Sequence, residues 1–182
     1  RHIIIPLFVT DEKGVISPIP SMPGVNRMSP NIAADWLDAR AAEGYLSCIL
    51  FGVIDPNKKD PMGSHALDPG NPVCKLLREL KSRKNPMVAI TDLCFCEYTS
   101  HGHCGPLTPD GQTVDNDKTL DLLARQALLH AQSGADVIAP SGMMDNAVAA
   151  IRKGLDDNGF TDAAIMAYSV KYASAFYGPF HD

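Results

Sequence analysis

Three cysteines, two histidines and two carboxylates fall within the fourteen residues from Asp92 to Gly105, "DLCFCEYTSHGHCG". Thiolates, imidazoles and carboxylates are the side chains that ligate transition metals, so this density points to metal chemistry. Cys94, Cys96 and Cys104 follow the spacing C-x-C-x7-C, unlike the paired C-x-x-C knuckles of closed structural zinc sites. Three thiolates leave one tetrahedral position for water or substrate, which separates a catalytic zinc from a structural one. The same residues also read as ordinary loop cysteines, or as part of a closed site finished by His101 or His103. Cys48, inside an apolar run, and Cys74, at the start of a helical pattern, read as packing residues.

Lys171, in "MAYSVKYASAFYGPF", is a second candidate. It closes an apolar run and precedes Tyr172, Phe176, Tyr177 and Phe180. Burial there lowers the pKa of an amine, because desolvation disfavours the ammonium. A neutral amine can attack a ketone and form a Schiff base. The competing reading is a lysine whose stem packs on apolar neighbours while its head reaches water.

The elements that must position these groups alternate along the chain. Helical periodicity runs through Ala33, Trp36, Leu37 and Ala41 and stops at Gly44, and "LSCILFGVI" follows as a buried strand. The Pro, Gly and Asp content of "DPNKKDPMGSHALDPG" predicts a loop without regular structure. Val73, Leu76, Leu77 and Leu80 mark a second helix, and "PMVAITDL" is a strand ending at the cysteine loop. Leu120, Leu123, Ala127 and Ala131 stripe a third helix within 115–133, followed by the strand "DVIAP". Met144, Val148, Ile151 and Leu155 stripe a fourth, followed by the strand "AAIMAYSV".

Strands apolar throughout are buried on both faces, and helices between them imply a parallel sheet. The class is therefore α/β. Neither a Gly-rich dinucleotide fingerprint nor a P-loop favours a doubly wound sheet. Chemistry-bearing residues recur just after strand ends, at Asp92 to Cys104, at Ser141 and at Lys171, which is where a (β/α)8 TIM barrel gathers its site. Four βα units fill about half of such a barrel, so the expectation is a chain that supplies roughly its N-terminal half, cut from a longer protein. Residues 1–28 are expected to form an N-terminal arm and barrel entrance, and 29–182 the first four βα units.

Composition narrows the partners. The 182 residues are 45% hydrophobic and 20% charged, with a formal net charge of -5, which argues against a nucleic-acid or anionic-membrane surface. No apolar run approaches the roughly 20 residues of a membrane helix. Five cysteines without disulfide-scaffold spacing suggest a reducing, cytoplasmic compartment.

Taken together, "DLCFCEYTSHGHCG", "APSGMMDNAVAAIRKGLDDNG" and "MAYSVKYASAFYGPF", in this order, resemble the porphobilinogen synthase (5-aminolevulinate dehydratase) family. The likeness extends to "PLFV", "SMPGV", "LFGV" and "KDPMGS" and so covers nearly the whole chain. It implies a lyase that condenses two molecules of 5-aminolevulinate, with loss of two waters, to the pyrrole porphobilinogen of haem biosynthesis. By the same resemblance, Lys171 matches the first of two Schiff-base lysines, and Cys94, Cys96 and Cys104 match the Zn2+ ligands of the zinc-dependent branch. His103 is read as standing behind those ligands. Asp92 matches a carboxylate near the substrate amine and Ser141 a polar group of the same pocket. Phe176 and Tyr177 match the aromatic wall around the lysine.

The likeness further implies a homo-oligomer, commonly an octamer, assembled through the N-terminal arm, and it leaves room for Mg2+ at a separate site. Three departures stand out. Gly142 replaces a common acidic residue, Asn146-Ala147 replaces a common Gly-Arg or Gly-Gln pair, and His181 replaces an arginine that helps hold a substrate carboxylate. Protonated His181 can partly serve that role. The rival reading is a short, non-catalytic zinc-binding derivative of the synthase acting as an interaction or structural protein. In either case the second lysine lies outside this sequence.

Overall fold

A computed structural model of the protein describes residues 3–170 and Tyr172. Lys171, Phe176, Tyr177 and His181 lie outside the described residues. The elements follow one another as strands β1 (Ile4–Thr10), β2 (Ile16–Pro18) and β3 (Asn26–Met28), helix α1 (Pro30–Ala42), β4 (Ser47–Val53), α2 (Pro72–Arg83), β5 (Val88–Leu93), α3 (Asn116–Ser133), β6 (Val137–Pro140), α4 (Ala147–Asp156) and β7 (Ala164–Ile165).

One sheet runs in the order β2-β3-β1-β4-β5-β6-β7. Strands β1, β4, β5, β6 and β7 lie side by side in chain order, all parallel, while the short β3 pairs parallel on the other side of β1 and β2 runs antiparallel at the edge. Helix α1 packs on α2, α2 on α3 and α3 on α4, a single helical layer. A doubly wound sheet reverses its strand order and places helices on both faces. Sequential order with one helical layer is the winding of a (β/α)8 barrel.

The predicted strands and helices form close to their expected bounds except at the end, where α4 begins at Ala147, past Met144, and the strand expected over 163–170 is only Ala164–Ile165. Within residues 1–28, expected to form an arm and barrel entrance, Ile4–Thr10 is a strand in register with all of β4, from Ile4 opposite Ser47 to Thr10 opposite Val53. Pro6 interrupts the apolar run there, yet the strand tolerates it. On its outer side β3 reaches only Phe8 and Val9, so a missing N–H at Pro6 costs no ladder bond on that edge. The loop after β4 is also more regular than expected, with short 3-10 helices at Pro56–Lys58 and Ser64–Leu67. Asp55 and Asp60 make these turns: Asp55 Oδ1 accepts from the Asn57 N–H at 2.9 Å, and Asp60 Oδ1 from the Met62 and Ser64 N–H groups at 2.8 and 3.1 Å.

Alternation along each strand divides the core. Leu7, Val9, Cys48, Leu50, Ala89 and Ile138 face the helices, while Ile49, Ile90 and Ala139 form a second cluster on the opposite face with Phe51, Val137 and Met166. Phe8 stacks on Phe51 with ring centroids 5.4 Å apart. Cys48 and Cys74 are fully buried, as their packing role predicts, and burial pushes the Cys48 thiol up to about 12. Among the described residues no helix is long and apolar enough to cross a membrane.

Candidate metal centre

Strand β5 delivers the site. Its last pairs are Asp92 opposite Ala139 and Leu93 opposite Pro140, after which the chain leaves the sheet as the cysteine loop. Asp92 follows Ile90 by two residues and is 7% exposed, on the same face as the apolar Ile49, Ile90 and Ala139 layer. Ser141 ends β6 next to it, 8% exposed, and its N–H donates to the Leu93 carbonyl at 3.4 Å.

The thiols of Cys94, Cys96 and Cys104 converge. Their sulfurs lie within 4.8 Å of one another, and Cys94 Sγ is 3.3 Å from Cys96 Sγ. Among the described residues this is the one group of three or more such ligand atoms. Cys94 is buried and the other two half-buried. Hydrogen bonds from Cys104 and Cys96, together with desolvation, hold the Cys94 thiol well above its usual range. The Cys104 thiol, burial and the Glu97 charge push Cys96 up to about 12, against an opposing pull from Cys94. Three adjacent thiols cannot all ionise without a cation to neutralise them. Zn2+ takes thiolate sulfur at about 2.3 Å, and a sulfur trio with an open side is a donor set suited to it.

Two buttresses shape the loop. From within, Thr99 Oγ1 donates to the His103 carbonyl at 2.7 Å, and the His103 N–H donates to His101 Nδ1 at 3.2 Å. The two imidazoles lie with centroids 5.4 Å apart, so His103 supports the loop through its backbone while its exposed ring leans on His101. From outside, the loop after β4 docks on it: the Ser100 N–H donates to the Asp60 carbonyl at 3.0 Å, and His101 Nε2 lies 3.1 Å from the Pro61 carbonyl.

Two glycines permit the close approach. A Cβ on Gly105 would meet Thr119 Oγ1 of α3 at 2.2 Å, and one on Gly52 of β4 would meet Tyr98 Oη at 2.3 Å. At Gly142 a Cβ would lie 3.8 Å from Cys104 Cβ, an ordinary contact, so the loop after β6 borders the thiols. Asn146 begins α4 with φ 65, a left-handed conformation that glycine takes freely and asparagine tolerates better than most residues.

Three further polar residues at the site, Glu97, Gln126 and His130, are given no role by residue type and spacing alone. Glu97 is half-buried beside Cys96, and desolvation and the Asp92 charge raise its pKa well above the carboxylate range. Gln126 and His130 are polar residues inside the buried stripe of α3, four apart, which was the available signal. Beyond β7 the pairing continues, with Met166 N–H donating to the Ile138 carbonyl at 2.9 Å and Tyr168 N–H to the Pro140 carbonyl at 3.2 Å. The predicted strand therefore runs on beside β6 as far as Ser141's neighbour, three residues short of Lys171.

Fold and site together define a (β/α)8-type barrel protein with a three-thiol cluster at the carboxyl ends of its strands. The chain belongs to the delta-aminolevulinic acid dehydratase family, whose model matches residues 1–182. A delta-aminolevulinic acid dehydratase of Ruminiclostridium josui is 47% identical over 180 residues, covering 99% of this chain and 86% of that protein. One from Methanothermobacter thermautotrophicus is 49% identical, covering 98% of this chain but 54% of that protein. The crystal structure of the Toxoplasma gondii delta-aminolevulinic acid dehydratase (porphobilinogen synthase), in complex with the reaction product porphobilinogen, superposes with a TM-score of 0.93 at 38% identity. That match covers 98% of this chain and 50% of the other. The chain thus spans about half the length of that structure and of the Methanothermobacter relative.

Proposed function

We propose that the protein carrying this sequence is a zinc-dependent porphobilinogen synthase, condensing two 5-aminolevulinate molecules to porphobilinogen with loss of two waters. The observation that carries this reading is the convergence of Cys94, Cys96 and Cys104 at the end of β5, beside Asp92 and Ser141, in a chain of this family. We assign the three thiolates as the zinc ligands. When bound, zinc supplies a Lewis acid at the rim, able to take the substrate amine or polarise a water.

The protein's own groups do the rest. Asp92, held over the apolar inner layer at the end of β5, is the carboxylate we assign to accept a proton from the substrate amine. Ser141, on the neighbouring strand end, orients that amine. Lys171 is assigned as the amine nucleophile: its nitrogen attacks the substrate ketone, the C–N bond forms, and the carbonyl oxygen leaves as water. We assign Phe176 and Tyr177 to exclude water from that imine, and His181, when protonated, to counter the substrate carboxylate. His103 completes the support of the thiol loop. Reduced thiols require a cytoplasm-like compartment, which is where we place the protein. We extend the reading to a homo-oligomer, checked by light scattering, and to Mg2+ at a separate site, checked by adding it to zinc-loaded protein.

Trapping tests the covalent step. Borohydride added to the complete protein with 5-aminolevulinate should reduce an imine, and peptide mapping should find label on Lys171. Lys171→Met should abolish that label and nearly all turnover while zinc content stays normal, because the thiols sit on a different loop. Substantial activity in Lys171→Met would overturn the Schiff-base role.

A further inference from the structure

Helix α3 lies behind the thiol cluster and sends two buried polar side chains toward β5, one turn apart. His130 Nδ1 lies 3.0 Å from Thr91 Oγ1, and Gln126 Nε2 donates to the Cys94 carbonyl at 3.4 Å. Gln126 is fully buried. The two contacts differ in what the backbone needs. Thr91 sits inside the ladder, paired with Leu50 on one side and Ile138 on the other, so its backbone is already fixed. Pairing with β4 stops at Thr91 and with β6 at Leu93, so Cys94 is the first residue past both ladders. The peptide that leaves Cys94 sets the direction of the turn to Cys96.

Gln126 is also a poor choice for stability alone. Among the described residues no donor reaches its buried Oε1, and a buried amide with one long hydrogen bond and an unsatisfied oxygen costs the fold more than an apolar residue of equal size. A residue kept at a cost to the fold, and aimed at the carbonyl of a ligand residue just past both ladders, has a positional use.

We propose that Gln126 is a positioning residue for the thiol cluster: by donating to the Cys94 carbonyl it fixes the peptide at which the chain leaves β5 and holds the Cys94 thiol toward Cys96 and Cys104. This rests on the metal reading of those thiols. Partners that orient metal ligands are typically worth ten- to a hundred-fold in metal affinity. Gln126→Met conserves volume and removes both the donor and the unsatisfied oxygen. In the complete protein, chelator competition should show zinc affinity weakened by about ten-fold or more, while the metal-free protein, which trades the unsatisfied Gln126 oxygen for an unpaired Cys94 carbonyl, unfolds close to the wild-type temperature. His130→Leu serves as the comparison. It deletes a buried hydrogen bond of the same helix and should lower the unfolding temperature with zinc affinity unchanged.

Zinc affinity in Gln126→Met within about three-fold of wild type would overturn the assignment. So would a loss of affinity accompanied by a fall in metal-free unfolding temperature equal to that of His130→Leu, since Gln126 would then be a packing residue. Gln126→Leu gives the same comparison if methionine packs poorly. A wild-type protein that binds no zinc would instead sink the metal reading, and this inference with it.

Discussion

Burial and the neighbouring thiols hold Cys94 and Cys96 above the usual thiol range, so without a metal the two stay protonated beside Cys104, in contact through weak S–H groups. A divalent cation replaces those contacts with bonds to three thiolates, and losing any one thiolate leaves two ligands on a half-open rim. Cys104→Ala should therefore reduce bound zinc from about one ion per chain to almost none. Cys104 is half-buried on a loop, so the metal-free protein should lose no more than about 1 kcal/mol of stability. Elemental analysis beside thermal unfolding checks both halves. Retained zinc with a lowered unfolding temperature would mean that Cys104 packs rather than ligates. At this scale the cysteine loop was legible because ligand-type side chains are rare and were crowded together. Glu97 was not, although it stands inside the same fourteen residues, because only the fold brings the Asp92 charge against it.

At the scale of the element, α3 does two jobs that its apolar stripe alone does not announce. Leu123, Ala127 and Ala131 bury against the sheet as their spacing predicts, and Gln126 and His130 go inside with them. His130 is buried and neutral, its pKa depressed to about 4 by desolvation. The unfolded chain takes up a proton near the ordinary 6.5, so its folded-state pKa lies below its unfolded one. Stability from this residue is full above pH 6.5 and is lost as pH falls from there toward 4, by an amount on the order of 3 kcal/mol at the acid end. Denaturant unfolding across that window should show stability falling with pH, and His130→Leu should flatten the fall. An unchanged slope in the variant would assign the acid sensitivity to other groups. Helices and buried strands were readable because 3.6-residue stripes and continuous apolar runs are strong signals. Strand β1 was not, because Pro6 breaks its apolar run and the pairing with β4 that carries the strand past it joins residues far apart in sequence. The Asp55 and Asp60 turns were hidden for a similar reason: loop composition announces turns but not what they dock against.

At the scale of the whole molecule, sequential parallel pairing brings the ends of β5, β6 and β7 side by side, and so gathers residues about seventy apart in sequence, such as Leu93 and Ile165, onto one rim. The alternation of elements made the α/β barrel class legible, and the strand-end positions of Asp92 and Ser141 made the rim legible. What periodicity could not supply was the convergence of the thiols, which depends on Thr99, Asp60 and two glycines holding a fourteen-residue loop closed. The central claim is zinc-dependent pyrrole synthesis at this rim. It is tested most directly by supplying 5-aminolevulinate to the complete, folded protein and following porphobilinogen by its pyrrole colour reaction, before chelation, after chelation, and after zinc is restored. The account predicts pyrrole formation that stops on chelation and returns with zinc; no pyrrole from the zinc-loaded protein, or a rate indifferent to the chelator, would contradict it.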